Sequence, residues 1–323
     1  MKVAVGLSGG VDSSVAALLL KEAGHDVTGV TMTLGRDGED RAVAEAREAA
    51  SRLGIRLEVF DFAAEWRRDV LDYIRRTFLA GRTPNPCVRC NETVKFALLP
   101  RAAFALGCGR FATGHYARLE NGHLLRAVDR AKDQSYFLYR VAPEILERTL
   151  FPLGALTKAE VRERARAFGL EAADRGDSQD FCGGDVMEVV GESDRPGDVV
   201  TADGRVIGRH RGFWHYTVGM RKGLGIGGGT PYYVTGLDAV RNRVVVGFRE
   251  TAAVTSFALE DVVGDIPVGR ELTVKVRSAG EPRGPVSFDG RRVNCPAGMT
   301  GVAPGQSAVL YDGDAILGGG VIL

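Results

Sequence analysis

Short apolar runs alternate with longer segments whose apolar residues recur at helical spacing through the first 185 positions of the chain. KVAVGL, HDVTGVTMTL and IRLEVFDF read as strands, and Ser13–Ala23 and 40–53 as the helices between them. Strands that are apolar almost throughout, separated by amphipathic helices, predict βαβ units and a parallel sheet covered on both faces. Gly24 and Gly54 stand where glycines end such helices. Further helices are expected over 63–79, 92–106, 143–149 and 157–168, with RFATGHYAR as another strand and its outgoing loop. After residue 185 the text changes to short β-branched and aromatic runs broken by turn signals such as Ala202-Asp203-Gly204 and Asp312-Gly313-Asp314. The expected fold is an α/β domain with a doubly wound parallel sheet over 1–185. Two small β domains should follow at 186–250 and 251–323, the last a β-barrel.

A length of 323 residues fits this multi-domain reading, since single cores rarely grow so large. Apolar residues at 45% and charged residues at 26% exclude a disordered or fibrous chain. Lys and Arg number 42 against 41 for Asp and Glu, so any anionic partner must be met by local patches rather than by bulk charge. Two such patches stand out. Residues 67–101 hold eight basic and three acidic side chains, and 204–222 hold Arg205, Arg209, Arg211, Arg221 and Lys222 interleaved with Phe213, Trp214 and Tyr216, with no acid. That interleaving suits an RNA surface and equally suits a β-barrel core with a solvated face. No signal peptide or membrane-length apolar run is evident, so the chain is expected to be cytoplasmic.

Candidate chemistry begins at Ser8-Gly9-Gly10-Val11-Asp12-Ser13-Ser14, between the first strand and the first helix, where open α/β sheets bind ligands. Glycines let backbone amides close around phosphate, and the helix start adds the positive end of its dipole. No Lys follows the glycines, so this is not the loop that handles a transferred γ-phosphate. SGGVDS resembles the PP-loop of ATP pyrophosphatases, which cleave ATP between the α and β phosphates. Asp12 could help hold Mg²⁺, Ser8 and Ser13 could donate to pyrophosphate, and Met32 could lie against adenine.

The five cysteines stand at 87, 90, 108, 182 and 295, too sparse for a disulfide scaffold. Cys87 and Cys90 lie in GRTPNPCVRCNETVKF, where Pro84 and Pro86 should hold an extended loop ahead of a helix opened by Asn91 and Glu92. Arg82, Arg89 and Lys95 nearby should lower a thiol pKa. Cys182 lies in another polar, Gly-rich loop, whereas Cys108 and Cys295 read as inert core thiols. A structural zinc site would need four ligands, and no second CxxC or HxxxH completes one.

Taken together, GLSGGVDSS, GRTPNPCVRCNETVKF, ATGHYAR, KDQSYFLYR, FPLGALTKAEVR, DSQDFC, YTVGMRKGLGIGG and APGQSAVLYDGDAILGGG resemble the tRNA-specific 2-thiouridylase family over nearly the full length. The resemblance implies ATP-dependent replacement of O2 of the wobble uridine by sulfur, in tRNAs for Lys, Glu and Gln. It implies ATP contacts at Gly6, Leu7, Ser8, Gly9, Gly10, Val11, Asp12, Ser13, Met32 and Gly114. It implies a flipped base near Asn85, Pro86 and Cys87, and contacts with the tRNA anticodon arm at His115, Lys132, Asp133, Gln134, Arg277, Ser278 and Gln306. Cys182 would carry a persulfide received from a cysteine desulfurase or relay protein, and Cys90 would complete the transfer. Two departures stand out: Cys occupies position 87, where the family more often has Asp, and the text after Cys182 is shortened. Cys87, Cys90 and Cys182 could alternatively ligate a [4Fe–4S] cluster. A PP-loop amidotransferase, or an RNA-binding module with a vestigial nucleotide loop, would account for fewer of these motifs.

Overall fold

The computed structural model describes residues 1–36, 38–170, 186–226, 231–248 and 253–323. The chain packs as two compact units. One comprises residues 1–70, the described part of 87–179, and 314–316; the other comprises 71–86, the described part of 180–313, and 317–323.

The first unit is built on β1 (Lys2–Gly6), α1 (Val11–Glu22), β2 (Asp26–Thr33), α2 (Glu39–Leu53) and β3 (Arg56–Asp61). The expected 63–79 helix is interrupted. It runs as α3 (Ala63–Trp66), a wide π turn at Arg67–Leu71 and α4 (Asp72–Leu79), the last of which belongs to the other unit. Next comes α5 (Pro86–Cys90), which starts five residues before the expected opening at Asn91. Pro86 is the reason, because its fixed φ suits a first helical residue whose N–H would have no intrahelical partner. Residues Asn91–Lys95 form a second π turn ahead of α6 (Leu98–Ala105).

β4 (Arg110–Ala112), the hairpin of β5 (Ala117–Glu120) and β6 (His123–Arg126), α7 (Pro143–Leu146), β7 (Thr149–Leu150) and α8 (Lys158–Ala167) complete the unit. The hairpin went unread in the sequence although Asn121-Gly122 marks it, both residues having positive φ. The sheet is parallel in the order β3-β2-β1-β4-β7. Val3, Val5 and Leu7 pack with Leu18, Leu20 and Leu53 on one face of it. Val15, Tyr116, Leu153 and Val161 form a further cluster around α1 and α8. Because the chain winds outward from β1 to β3 and then returns to β4, the order of winding reverses between the parallel neighbours β1 and β4. Ligands of such sheets bind beyond the strand ends at that point.

In the second unit, α9 (Val186–Val190) precedes a four-stranded sheet of β8 (Gly197–Thr201), β9 (Val206–His210), β10 (Tyr233–Asp238) and β11 (Arg243–Gly247), ordered β10-β11-β8-β9. The Ala202–Gly204 turn joins β8 to β9 as expected. Phe213, Trp214 and Tyr216 are buried, while Arg205, Arg209, Arg211, Arg221 and Lys222 are exposed. The aromatic residues therefore fill the core of this sheet instead of forming a base-stacking surface.

The strands β12 (Val254–Gly264), β13 (Leu272–Lys275), β14 (Arg283–Phe288), β15 (Arg292–Met299), β16 (Ser307–Asp312) and β17 (Ala315–Ile322) close into a six-stranded barrel, with β12 pairing both β15 and β17. Phe257, Leu272, Val274, Phe288, Leu310 and Ile322 fill it.

The barrel closes where Gly264 faces Gly318. A Cβ on Gly318, whose φ is 147°, would lie 2.1 Å from the Val263 carbonyl oxygen. Gly318→Ala should therefore destabilise the protein by more than about 2 kcal/mol in urea unfolding, whereas Gly313→Ala, at an open turn, should cost about 1 kcal/mol.

Candidate active site

The loop after β1 is organised by its own hydroxyls. Ser13 Oγ accepts from the Ser8 amide at 3.1 Å, lies 3.1 Å from Ser8 Oγ and donates to the Gly10 carbonyl at 3.2 Å. Ser14 Oγ donates to the same carbonyl at 2.8 Å. Ser13 is buried and committed to this network, so of the two expected phosphate donors only Ser8 is exposed. Gly10 caps α1 without a side-chain bond, leaving the first turn to present backbone amides.

Two of the glycines are required by close approach. Gly9 has φ 77°, and a Cβ there would lie 2.6 Å from the Glu45 backbone on α2. A Cβ on Gly114, just beyond β4, would lie 2.8 Å from the Ser13 amide nitrogen. Gly6 and half-buried Met32 sit near the same ends of β1 and β2. The expected nucleotide contacts at Gly6–Ser13, Met32 and Gly114 thus gather at one sheet edge.

Asp12 does not stand alone on this turn. Lys158 Nζ donates to its two carboxylate oxygens at 2.8 and 2.9 Å, and the Tyr116 hydroxyl donates to Oδ1 at 3.0 Å. Lys158 is the first residue of α8, and a capping box fixes that start: Thr157 Oγ1 accepts from the Glu160 amide, and the Glu160 carboxylate accepts from the Thr157 amide. The Lys158 amide donates to Asp129 at 2.9 Å. Sequence reading missed both Lys158 and Tyr116. Thr157-Lys158-Ala159-Glu160 carried a readable capping signal, but nothing in it told which carboxylate the lysine would meet.

Tyr116 is in turn bracketed by residues expected at the tRNA. Its amide donates to Gln134 Oε1 at 2.9 Å, and its carbonyl accepts from the Gln134 amide at 2.9 Å. The Asp133 carboxylate has no exposed surface and accepts from Arg126 Nε, the Ala127 amide and the Ser135 amide. Asp133 therefore has no side-chain oxygen to offer an RNA; it works inside the protein. Arg277 and Ser278 are exposed beyond β13.

His115 is half-buried, with Nδ1 2.9 Å from Thr113 Oγ1 and its ring 5.4 Å from Phe96. Burial, helped by the charge of Lys95, lowers its pKa to about 3, so the imidazole is neutral at physiological pH.

Cys87 and Cys90 lie three apart on α5, Cys87 half-buried and Cys90 buried. Asn85, ahead of them, is buried as well. The expectation of a lowered thiol pKa fails at Cys87. Burial raises it, the Lys95 charge offsets part of that, and Cys90 raises it further. Two of the three expected cations are otherwise engaged. Arg89 pairs with Glu92 at 3.1 Å and donates to the Asp69 carbonyl, and Arg82 pairs with Glu260. Cys108 and Cys295 are buried, with pKa values raised by desolvation, as inert thiols should be. Cys182 lies outside the described residues.

Among the described residues no group of three or more His, Cys, Asp or Glu side chains could hold a metal ion. Asp12, the expected Mg²⁺ ligand, already carries an ammonium on both oxygens. Residues 87, 90 and 182 cannot be assembled into a cluster site from described positions.

Comparison with known proteins gives this site its context. Residues 1–183 match the family model described as tRNA methyl transferase HUP domain, 186–248 that of the tRNA methyl transferase PRC-barrel domain, and 265–322 that of the aminomethyltransferase beta-barrel domain. The tRNA-specific 2-thiouridylase MnmA of Chloroflexus aurantiacus (strain ATCC 29366 / DSM 635 / J-10-fl) is 46% identical over 350 residues, covering 99% of this chain and 98% of that protein.

The chain belongs to the tRNA-specific 2-thiouridylase family.

Two further 2-thiouridylases support this membership. Those of Xanthobacter autotrophicus and Roseiflexus sp. (strain RS-1) are 45% and 41% identical, covering 100% and 99% of this chain and 92% and 99% of their own lengths. An alignment of 350 positions against 323 residues leaves gaps on this chain's side, so the Chloroflexus 2-thiouridylase carries residues that this one lacks.

Two outcomes test the geometry. In a double-mutant cycle read by urea unfolding, Asp12→Asn and Lys158→Met should couple by about 1–2 kcal/mol; additive losses would mean that the pair does not act as a unit. For His115, the unfolded state binds a proton below its ordinary pKa of 6.5, while the folded state resists until about 3. Stability should therefore fall as pH drops through that window, and His115→Gln should flatten the fall between pH 7 and 5. A slope unchanged by the substitution would show that His115 titrates normally.

Proposed function

We propose that the protein catalyses ATP-dependent 2-thiolation of the wobble uridine of tRNA in the cytoplasm. The observation that carries the reading is the serine-organised glycine loop at the β1–β4 switch point, in a chain whose relatives bear the name tRNA-specific 2-thiouridylase over their whole length. A uridine O2 leaves poorly, so adenylation of that oxygen by ATP, with loss of pyrophosphate, turns it into part of an AMP leaving group. In this reading the amides of Gly9–Ser13 and the Ser8 hydroxyl hold the phosphates, with Lys158 and Tyr116 orienting Asp12 beside them. Exposed Arg205, Arg209, Arg211, Arg221 and Lys222 support an anionic partner.

For the sulfur step, the reading assigns a persulfide, received from a desulfurase or relay protein, to Cys182. The Cys90 thiolate attacks the inner sulfur, forming a Cys90–Cys182 disulfide and releasing sulfide, which adds at C2 as AMP leaves. An external reductant restores the thiols. The raised pKa of Cys87 supports treating it as a bystander rather than a nucleophile. The division at 1–185, 186–250 and 251–323 is retained as the working domain plan.

The test is an assay with purified protein, unmodified tRNA, ATP and a persulfide donor, analysing nucleosides by mass spectrometry and nucleotides by chromatography. Expected are 2-thiouridine at the wobble position and one AMP per thiolation. ADP as the product, or no 2-thiouridine, would overturn the reading. Cys90→Ser and Cys182→Ser should abolish thiolation while Cys87→Ser retains most of it. An iron-loaded protein losing both cluster and activity with Cys87→Ser would favour the cluster alternative.

A further inference from the structure

The loop Arg82-Thr83-Pro84-Asn85 that leads into Cys87 contains a proline and is followed by another, so it can pair little of its own backbone. Its polar groups must find partners elsewhere. They find them in the turn before β16, at Ala303-Pro304-Gly305-Gln306. The Thr83 amide donates to the Pro304 carbonyl at 2.7 Å. The side-chain amide of half-buried Gln306 donates to the Pro84 carbonyl at 2.6 Å and reaches the Thr83 carbonyl at 3.4 Å.

Gly305, at φ 90°, lets the two segments touch, since a Cβ there would lie 2.7 Å from the Thr83 oxygen and 2.9 Å from its nitrogen. At one end of the loop, Arg82 pairs with Glu260 and donates to the Ile322 carbonyl at 2.9 Å. At the other, the Asn85 amide donates to the Tyr73 hydroxyl at 3.1 Å, and its side chain lies 3.5 Å from Ser307 Oγ.

We propose that the C-terminal barrel holds the Arg82–Asn85 loop, and with it the entry to α5, in its working geometry through Gln306, which is a positioning residue rather than a tRNA contact. Two features argue for this. The amide protons of Gln306 are already directed at loop carbonyls, and its neighbour Gly305 is shaped to the same loop. A barrel separated from the loop by more than 200 residues of chain thereby sets the path by which the chain enters α5. The clamp itself stands on geometry alone; only its catalytic consequence rests on the thiolation reading.

The experiment uses the full-length protein with Gln306→Glu, which removes the donor at constant size, and Gln306→Met as a neutral second variant. Hydrogen exchange should quicken at the Thr83 and Asn85 amides in both variants while Val309 and Leu310 stay protected, which also verifies folding. Single-turnover thiolation at saturating tRNA should fall at least about tenfold, with tRNA Kd within about twofold of wild type. Unchanged exchange at Thr83 and Asn85 would overturn the clamp. So would a Kd weakened about fivefold or more with the saturated rate intact, the signature of a tRNA contact. If wild type makes no 2-thiouridine, the thiolation reading fails, and hydrogen exchange still decides the clamp.

Discussion

An ammonium at the first residue of a helix sits at the unfavourable end of the helix dipole, and Lys158 occupies that position on α8. What makes it tolerable is Asp12, 146 residues earlier in the chain, whose two carboxylate oxygens each accept a hydrogen bond from the ammonium. The pair ties the glycine loop after β1 to a helix that the sheet alone would not bring there. Much of the neighbouring structure supports it. The capping box of Thr157 and Glu160 fixes where α8 starts, Asp129 holds the Lys158 amide, and Gln134 fixes the backbone of Tyr116, which completes the coordination of Asp12. Asp133 and Arg126 stabilise the segment that carries Gln134. Asp133 and Gln134, expected at the tRNA, thus also brace the residues that hold Asp12.

The parallel sheet was legible because its central strand β1 is apolar on both faces, and because Gly24 and Gly54 punctuate the helices between the strands. The glycine loop was legible because its position between strand and helix is itself the signal. Where helices break at the two π turns, no composition marker exists: Arg67–Leu71 and Asn91–Lys95 contain neither Pro nor Gly. Those breaks arise from packing, which the local sequence does not carry. The start of α5 is ambiguous in the sequence, since Pro86 suits a first helical position and equally signals an extended residue before it.

At the site, residue types were easier to read than their electrostatics. A cluster of Arg82, Arg89 and Lys95 near two thiols suggests a thiolate, yet an arginine counts only if its charge is not already answered. Glu92 answers Arg89, and Glu260, far along the chain, answers Arg82. With only Lys95 acting on it, burial wins at Cys87. Burial keeps His115 neutral and the same lysine adds to it, so a single cation acts on both groups, though to opposite effect: it favours the charged thiolate and disfavours the charged imidazolium. Phe213, Trp214 and Tyr216 teach the matching lesson, because basic residues interleaved with aromatic ones fit a buried 3₁₀ turn with exposed flanks, as at Phe213–His215, as well as they fit an RNA surface.

The glycine loop and the loop leading into α5 solve the problem of rigidity differently, and composition explains why. The glycine loop is rich in serine, and hydroxyls can both donate and accept, so Ser8, Ser13 and Ser14 order the backbone from within the loop itself. The cysteine loop has prolines instead, which stiffen φ but remove donors and leave carbonyls facing outward. Such a loop is straight but unanchored, and its precision has to be supplied by another part of the fold. Gln306 with Gly305 supplies it, and Arg82 secures the loop's entry. On this view the β-barrel does more than complete the fold, because the loop that leads into α5 finds the partners of its backbone there and not within itself.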